Sequence, residues 1–329
     1  MPLVCRPFSL NSYCLSKAWF RTHSVDLRVG DITAYSSACK SWLYQDMLEK
    51  PSELLLYRPV GEGGLGLHHG QSKAQASLIS TFLQTALNPS FQSSLYHTLL
   101  YKRFCLLDNT VPELEPPPYY PIEFFNTIRD VVENTPLNPV QMSVKEWYRH
   151  LLQINVTMEK VDDEGRMLAK KCKVEENHPE VDWQLSYHCG RLTGLSPEVK
   201  SFNFKMTHRI LPCRQRISQI LPNSSPTCTL CRAQEPESVL HALFNCNSNR
   251  EAALYLMELT RVYDSSITEE RITRLQVLTD ALYELPALVS SGLSLIWRNR
   301  QEKKSTRLYD VRAELECLVQ TLNKSKKES

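Results

Sequence analysis

Four residues in one short stretch combine types and spacing that could bind a metal. Cys228, Cys231, His241 and Cys246 stand as C-x2-C-x9-H-x4-C. Two thiolates separated by two residues can grip one ion from a single tight turn, filled here by Thr229 and Leu230; an imidazole and a third thiolate complete a tetrahedral set. Zinc suits that set, one ion per chain. Four protein ligands leave no open coordination position, so the expected role is structural rather than catalytic. The plainer alternative is a group of buried thiols beside a surface histidine. His241 and Cys246 are five apart, whereas a helix face gathers residues three or four apart. The spacing therefore predicts a helix from Pro236 that stops near Asn245, where a left-handed Asn would swing Cys246 back to the ion. Ser248 with Glu251 reads as a capping box opening the next helix, with Leu254, Met257 and Val262 on its apolar stripe.

Basic residues lie just upstream. Ser196-Pro197 reads as an N-cap and first-turn proline, opening a helix that ends before Pro212. Val199, Phe202, Met206 and Ile210 form its apolar stripe. Lys200, Lys205, His208 and Arg209, then Arg214, Arg216 and Arg232, supply positive charge in an interval from Glu198 to Glu235 that holds no other acidic residue. Such a face beside a zinc module could contact phosphates and release counterions, which makes RNA or DNA the expected partner. The alternative is a solvated face on a zinc-stabilised helical module that docks another protein. Arg298, Arg300, Lys303, Lys304 and Arg307, with the terminal Lys324, Lys326 and Lys327, form a second and weaker phosphate candidate, since helix ends and tails are often Lys-rich for solubility.

Other chemistry is poorly represented. GEGGLGL at Gly61 to Leu67 lacks the Lys and Ser or Thr of a phosphate-binding loop and reads as a tight turn. His68 and His69 are adjacent and should point apart. Asp162-Asp163 lies among Lys160, Glu164, Gly165 and Arg166, as in a solvated turn rather than on a rigid catalytic element. No G-x-S-x-G, H-E-x-x-H or Walker sequence occurs, so neither an enzyme nor a small-molecule substrate is expected.

The elements that must position these residues read as mainly α, with a small CCHC zinc module and at most a short β-hairpin. At 329 residues the length suggests about two or three domains. Residues 1–110 carry helical patterns at Leu10 to Thr22, Ile32 to Leu48, from Ser72, and Phe91 to Leu107, with a short apolar run at Leu54 to Tyr57 leading into a turn and a strand or loop. Residues 111–180 form a Pro-rich and charged connector, in which Ser143 and Glu146 make another capping box. Residues 181–262 hold the basic helix and the zinc module. Residues 263–329 hold further helices, one around Leu285 before Pro286 and another through Leu293, Ile296 and Trp297. A net charge of +2 is only mildly basic, so any nucleic-acid role rests on local patches. No leader and no run of about eighteen apolar residues is seen, so the expectation is an intracellular protein, nuclear or cytoplasmic, neither secreted nor membrane-spanning. Its eleven cysteines are then thiols and ligands, not disulfides.

The stretch FKMTHRILPCRQRISQILPNSSPTCTLCRAQEPESVLHALFNC resembles the zinc-binding region near the C-terminus of reverse transcriptases from non-LTR, LINE-type retrotransposons. The shared residues are Phe204, Lys205, His208, Leu211, Pro212, Arg214 to Ile217, Cys228, Cys231, His241, Phe244 and Cys246. Cys213 departs from the small residue, such as Thr, expected there. SWLYQDMLEKPSELLLYRPVGEGGLGL, Ser41 to Leu67, is similar to the segment after the polymerase core of those proteins. The aromatic-x-Asp-Asp turn of that core has no counterpart here. The resemblance thus implies the thumb and post-polymerase tail of an RNA-directed DNA polymerase without its catalytic core. Its implied role is to hold template RNA or target DNA during target-primed reverse transcription.

Overall fold

The computed structural model describes residues 1–16, 29–45, 47, 50–87, 142–160, 167–231, 234–276 and 284–328. The Phe91 to Leu107 helix, the Pro-rich part of the connector, Asp162-Asp163, Arg232 and much of the Leu10 to Thr22 helix lie outside them. The fold is mainly helical. Helices α1 (Arg6–Ser9), α2 (Val29–Leu43), α3 (Glu53–Tyr57), α4 (Gly70–Leu87) and α5 (Val144–Leu152) precede one short antiparallel pair, β1 (Met158–Lys160) with β2 (Met167–Ala169). Then come α6 (Lys173–Asn177), α7 (Trp183–Cys189), α8 (Pro197–Thr207), α9 (Arg214–Ile220), α10 (Arg250–Arg261), α11 (Glu269–Thr273), α12 (Glu284–Gln301) and α13 (Leu308–Glu328). Among the described residues no helix is long and apolar enough to cross a membrane.

The chain forms two compact units, neither continuous in sequence. One comprises Leu10–Lys40 and His68–Ala169; the other Met1–Ser9, Ser41–Leu67 and Lys170–Ser329. In the first, α4 packs along α5. The expected box starts α5: Ser143 Oγ accepts from the Glu146 N–H at 3.3 Å, and Glu146 Oε2 accepts from the Ser143 N–H at 2.7 Å. Trp147, Leu151 and Leu152 are buried along one face of α5, as are Ala76, Leu78 and Ile79 of α4. His68 and His69 serve the entry to α4. The His68 ring meets Tyr148 edge-on, while His69 Nδ1 lies 2.9 Å from Ser72 Oγ.

In the larger unit the Leu54 to Tyr57 run is a short helix, α3, with Leu55, Leu56 and Tyr57 buried. The glycine-rich segment follows as a tight turn. Gly63 has φ +81°, and a Cβ there would meet the Tyr187 ring at 2.5 Å, so only glycine fits. The Gly63, Gly64, Leu65, Gly66 and Leu67 N–H groups all bond to backbone carbonyls of Leu55 to Val60. The loop thereby turns carbonyls, not N–H donors, toward side chains: Arg191 donates to the Gly64 carbonyl and His208 Nε2 donates to that of Gly63 at 2.9 Å. That polarity suits cations and opposes phosphate. Next to it, Glu175 accepts from Arg58 at 2.6 Å, from the Tyr187 hydroxyl at 2.8 Å and from the Cys172 N–H at 2.7 Å. Burial alone would raise the Glu175 carboxyl; these partners, Arg58 first, overcome it and hold the group below its ordinary value.

Helix α8 starts as expected, with Ser196 Oγ accepting from the Val199 N–H. Val199, Phe202, Met206 and Ile210 are buried, but so are Phe204, Asn203, Thr207 and His208, so its buried arc is wider than the sequence stripe. Helix α12 is continuous through Pro286. A proline in the first turn forfeits only an N–H that has no intrahelical acceptor, so it does not break the helix. Helix α10 begins one residue later than its expected cap. Asn249 holds the N-cap position and Ser248 turns toward Cys246; Leu254 and Val262 are exposed while Ala253, Leu256, Met257 and Thr260 are buried.

Burial lowers the His208 imidazole to about 4 from 6.5, and the Gly63 carbonyl opposes this only in part. His208 is therefore neutral in the fold. Unfolding lets it take a proton once the pH drops below about 6.5, so its contribution is intact above that pH and is lost as the pH falls toward 4. The loss should reach about 3 kcal/mol. Urea unfolding from pH 7 to 4 should show that slope in the native chain and a shallower one in His208→Gln; parallel pH profiles would refute the assignment.

Candidate metal centre

The first limb of the site is the loop after α9. The Cys228 N–H bonds to the Glu235 carbonyl at 3.0 Å and the Glu237 N–H to the Pro226 carbonyl at 2.8 Å, so two short limbs run side by side and close the Cys228 to Cys231 turn between them. Pro236 belongs to this pairing. The helical limb starts after Ser238, whose Oγ accepts from the His241 N–H at 3.0 Å.

A widened turn, His241–Asn245, then solves the spacing problem. The Cys246 N–H bonds to the His241 carbonyl at 2.8 Å, an i to i+5 bond, and Cys246 leaves in extended backbone at φ −72° and ψ 126°. A turn closed at i+5 brings residues five apart to the same side. No left-handed Asn245 is involved, and the expected stop at that residue is corrected on this point. The same turn sends Ala242, Leu243 and Phe244 into the core.

The ligand atoms of Cys228, Cys231, His241 and Cys246 lie within 4.8 Å of one another. Cys228 Sγ and Cys246 Sγ are 3.8 Å apart, and Cys231 Sγ is 3.4 Å from His241 Nε2. Tetrahedral zinc, with bonds of about 2.3 Å to sulfur and about 2.0 Å to nitrogen, requires roughly 3.8 Å between sulfurs and 3.5 Å from sulfur to nitrogen. The residues fit the ion. A disulfide would need about 2.05 Å, and every cysteine among the described residues is free. His241 Nδ1 lies 3.1 Å from Glu235 Oε2, which accepts its proton and leaves Nε2 to the metal.

Arg300, read from sequence as part of a surface basic cluster, is instead buried against this centre. Its Nη2 lies 3.2 Å from Cys228 Sγ, its Nη1 lies 3.8 Å from Cys246 Sγ, and it pairs with Glu237. Burial works against ionisation of Cys228, but Arg300 and the Leu230 and Cys231 N–H groups outweigh it and hold the thiol below its ordinary value. Neither Glu237 nor Arg300 carries a spacing signal. The one hint was an arginine three residues past Trp297, in helical register with the apolar repeat that ends there.

The expected nucleic-acid residues separate. His208 is corrected: 5% exposed, bonded to Gly63, stacked on Tyr187 and tilted against Phe204, it faces the core. Lys200 and Lys205 are half-buried on α8, and the Lys205 ammonium is held below its ordinary value by burial and then by Arg6. Arg209 is exposed at φ 54°. Its guanidinium is lowered by burial, then by Arg274 and Arg216 against the pull of Glu270, which places Arg216 in its field. Arg214 and Arg216 are partly exposed on α9, a helix with no buried residue. Cys213 is buried in the hydrophobic core and is not part of the ligand group.

No family model matches the chain, and none of the curated proteins compared with it does.

Replacing Cys231 with Ser should abolish stoichiometric zinc in the purified protein, measured by elemental analysis; unchanged zinc would refute the ligand set. Arg300→Met should weaken zinc binding by about 10- to 100-fold in chelator competition, as loss of an outer partner does in other sites. Wild-type affinity in a folded Arg300→Met protein would show that the guanidinium does not support the thiolates.

Proposed function

We propose that this chain is a nucleic-acid-binding, non-catalytic module in which a structural zinc ion fixes the presentation of arginines to RNA or DNA phosphates. Zinc is favoured because three thiolates and one imidazole suit a borderline-soft tetrahedral ion, and four protein ligands leave no position for substrate. The observation that carries the reading is α9. It buries none of its own residues, carries Arg214 and also Arg216, which acts on Arg209, and is docked to the metal loop by hydrogen bonds from Arg214 and Gln215 to Glu237. A helix that adds nothing to the core yet is held in place is suited to contact something outside it.

The resemblance to the C-terminal region of LINE-type reverse transcriptases supports the same reading and supplies its context, template or target strands held by a segment outside the polymerase core of those proteins. The reduced cysteines fit an intracellular setting, nuclear or cytoplasmic. A second reading, docking of a protein partner, is favoured by Ile220 and Leu221, 43% and 41% exposed at the end of α9.

Salt dependence separates the two. If Arg209, Arg214 and Arg216 all contact phosphates, affinity for labelled RNA or DNA should fall roughly 20- to 40-fold between 50 and 200 mM salt. Each Arg→Gln change should lower the slope of log K against log salt by about one. Salt-insensitive or absent binding by the zinc-loaded chain would overturn the nucleic-acid reading and favour the protein partner.

A further inference from the structure

Glu237 lies where the metal centre, the last long helices and α9 meet. It is 5% exposed, and each of its polar groups is engaged. Its N–H holds the Pro226 carbonyl at 2.8 Å, which closes the ligand loop; its carbonyl accepts from the Gln215 N–H at 3.1 Å. In the side chain, Oε1 accepts from the Arg214 N–H at 3.3 Å and Oε2 pairs with Arg300. Arg300 in turn reaches the two sulfurs Cys228 Sγ and Cys246 Sγ. A continuous line of polar contacts therefore runs from ligand sulfurs through Arg300 and Glu237 to the first N–H groups of α9.

We infer that Glu237 is a positioning residue that couples metal occupancy to the attitude of α9, so that the ion controls presentation of Arg214 and Arg216 without touching what they bind. The physical logic is electrostatic. With the ion present, three thiolates and a divalent cation carry one excess negative charge, which Arg300 meets while keeping a second edge for Glu237. Without the ion, nothing ties the four ligands to one centre, and the guanidinium has no fixed seat beside Cys228 Sγ and Cys246 Sγ. Glu237 then loses the partner that aims its carboxylate, and the Arg214 N–H at the start of α9 loses its acceptor geometry, which leaves the Gln215 N–H bond to the Glu237 carbonyl to hold that end alone. Because α9 buries no residue fully, packing contributes less to its position than it does for α8, and those bonds matter more. The consequence for nucleic acid rests on the function proposed above; the coupling itself does not.

Hydrogen exchange followed by mass spectrometry on the full chain tests it without any nucleic acid. Zinc-loaded wild type, chelated wild type and zinc-loaded Glu237→Gln are compared over peptides covering α9, with those covering α8 as the internal reference. Chelation should speed exchange in α9 at least tenfold and leave α8 nearly unchanged. Glu237→Gln at saturating zinc should reproduce that acceleration while cobalt substitution still shows tetrahedral thiolate absorption. Arg300→Lys supplies an independent reading, since an ammonium keeps the charge but lacks the planar fork that spans sulfur and carboxylate; α9 should again exchange faster with the ion bound. Wild-type protection of α9 in both loaded variants would overturn the coupling. Failure of both to hold zinc would overturn it too, since the pair would then belong to ion binding itself. Loss of RNA binding in the wild type with this exchange pattern intact would sink the functional reading alone.

Discussion

A buried guanidinium cannot be left without fixed counter-charge, and Arg300 makes that requirement the organising constraint of the larger unit. It is 7% exposed and its partners come from three places: two sulfurs of the metal centre and the carboxylate of Glu237. Helix α12 therefore cannot rotate or slide without uncovering charge. The same helix is held two turns earlier at Gly292, where an added Cβ would come within 2.6 Å of Leu256 on α10. Ala242, Leu243 and Phe244, between the last two ligands, share one apolar core with Leu293, Ile296 and Trp297. The metal loop is in this sense part of the core, and its polar side and its apolar side are positioned by the same helix.

The i to i+5 turn is what allows one segment to serve both sides. Ordinary helical pitch would have set His241 and Cys246 on different faces, with either the ligands or the apolar residues misdirected. Widening by one residue brings the two ligands together and leaves the three intervening apolar side chains pointing inward. Asn249 then fastens the exit: its Nδ2 donates to the Ala242 carbonyl at 3.0 Å, and its Oδ1 accepts from the Thr306 N–H at 3.4 Å, so the turn is tied to the approach to α13. An asparagine committed to those two bonds is unavailable to cap α10 through its side chain, which agrees with the lack of such a bond there.

Signals confined to a few neighbouring residues were legible in the chain. Ser143 with Glu146, Ser196 with Pro197, the glycine-rich turn and the four ligand types at their spacing all depend on local geometry, which sequence separation determines. What was not legible depends on partners far away in sequence. Arg300 meets Cys228 across a separation of 72 residues, and Arg58 meets Glu175 across 117. A run of Arg and Lys after Trp297 looks the same whether one member turns inward or none does. Leu54 to Tyr57 declares no type for a related reason, since a short apolar run has no period to distinguish strand from buried helix. Leu254 and Val262 misled because a stripe through them and Met257 is offset from the face that α12 covers.

Basic residues here divide by what their length and shape can reach. His208, short and planar, fits between two aromatic rings and can shed its proton, so burial costs it a charge and leaves a satisfied neutral ring. Arg300 and Arg58 cannot shed theirs, and each lies beside a buried carboxylate. Arg209 is exposed in left-handed backbone, and Arg214 and Arg216 are partly exposed on α9, which buries none of its residues. Positive charge held at the surface is the charge whose field reaches solvent. Counting Lys and Arg along the chain merges these groups, giving only +2 overall. Sorting them by burial leaves a small set of arginines beside the metal loop, and it is this local group, not net charge, on which attraction of a polyanion would depend.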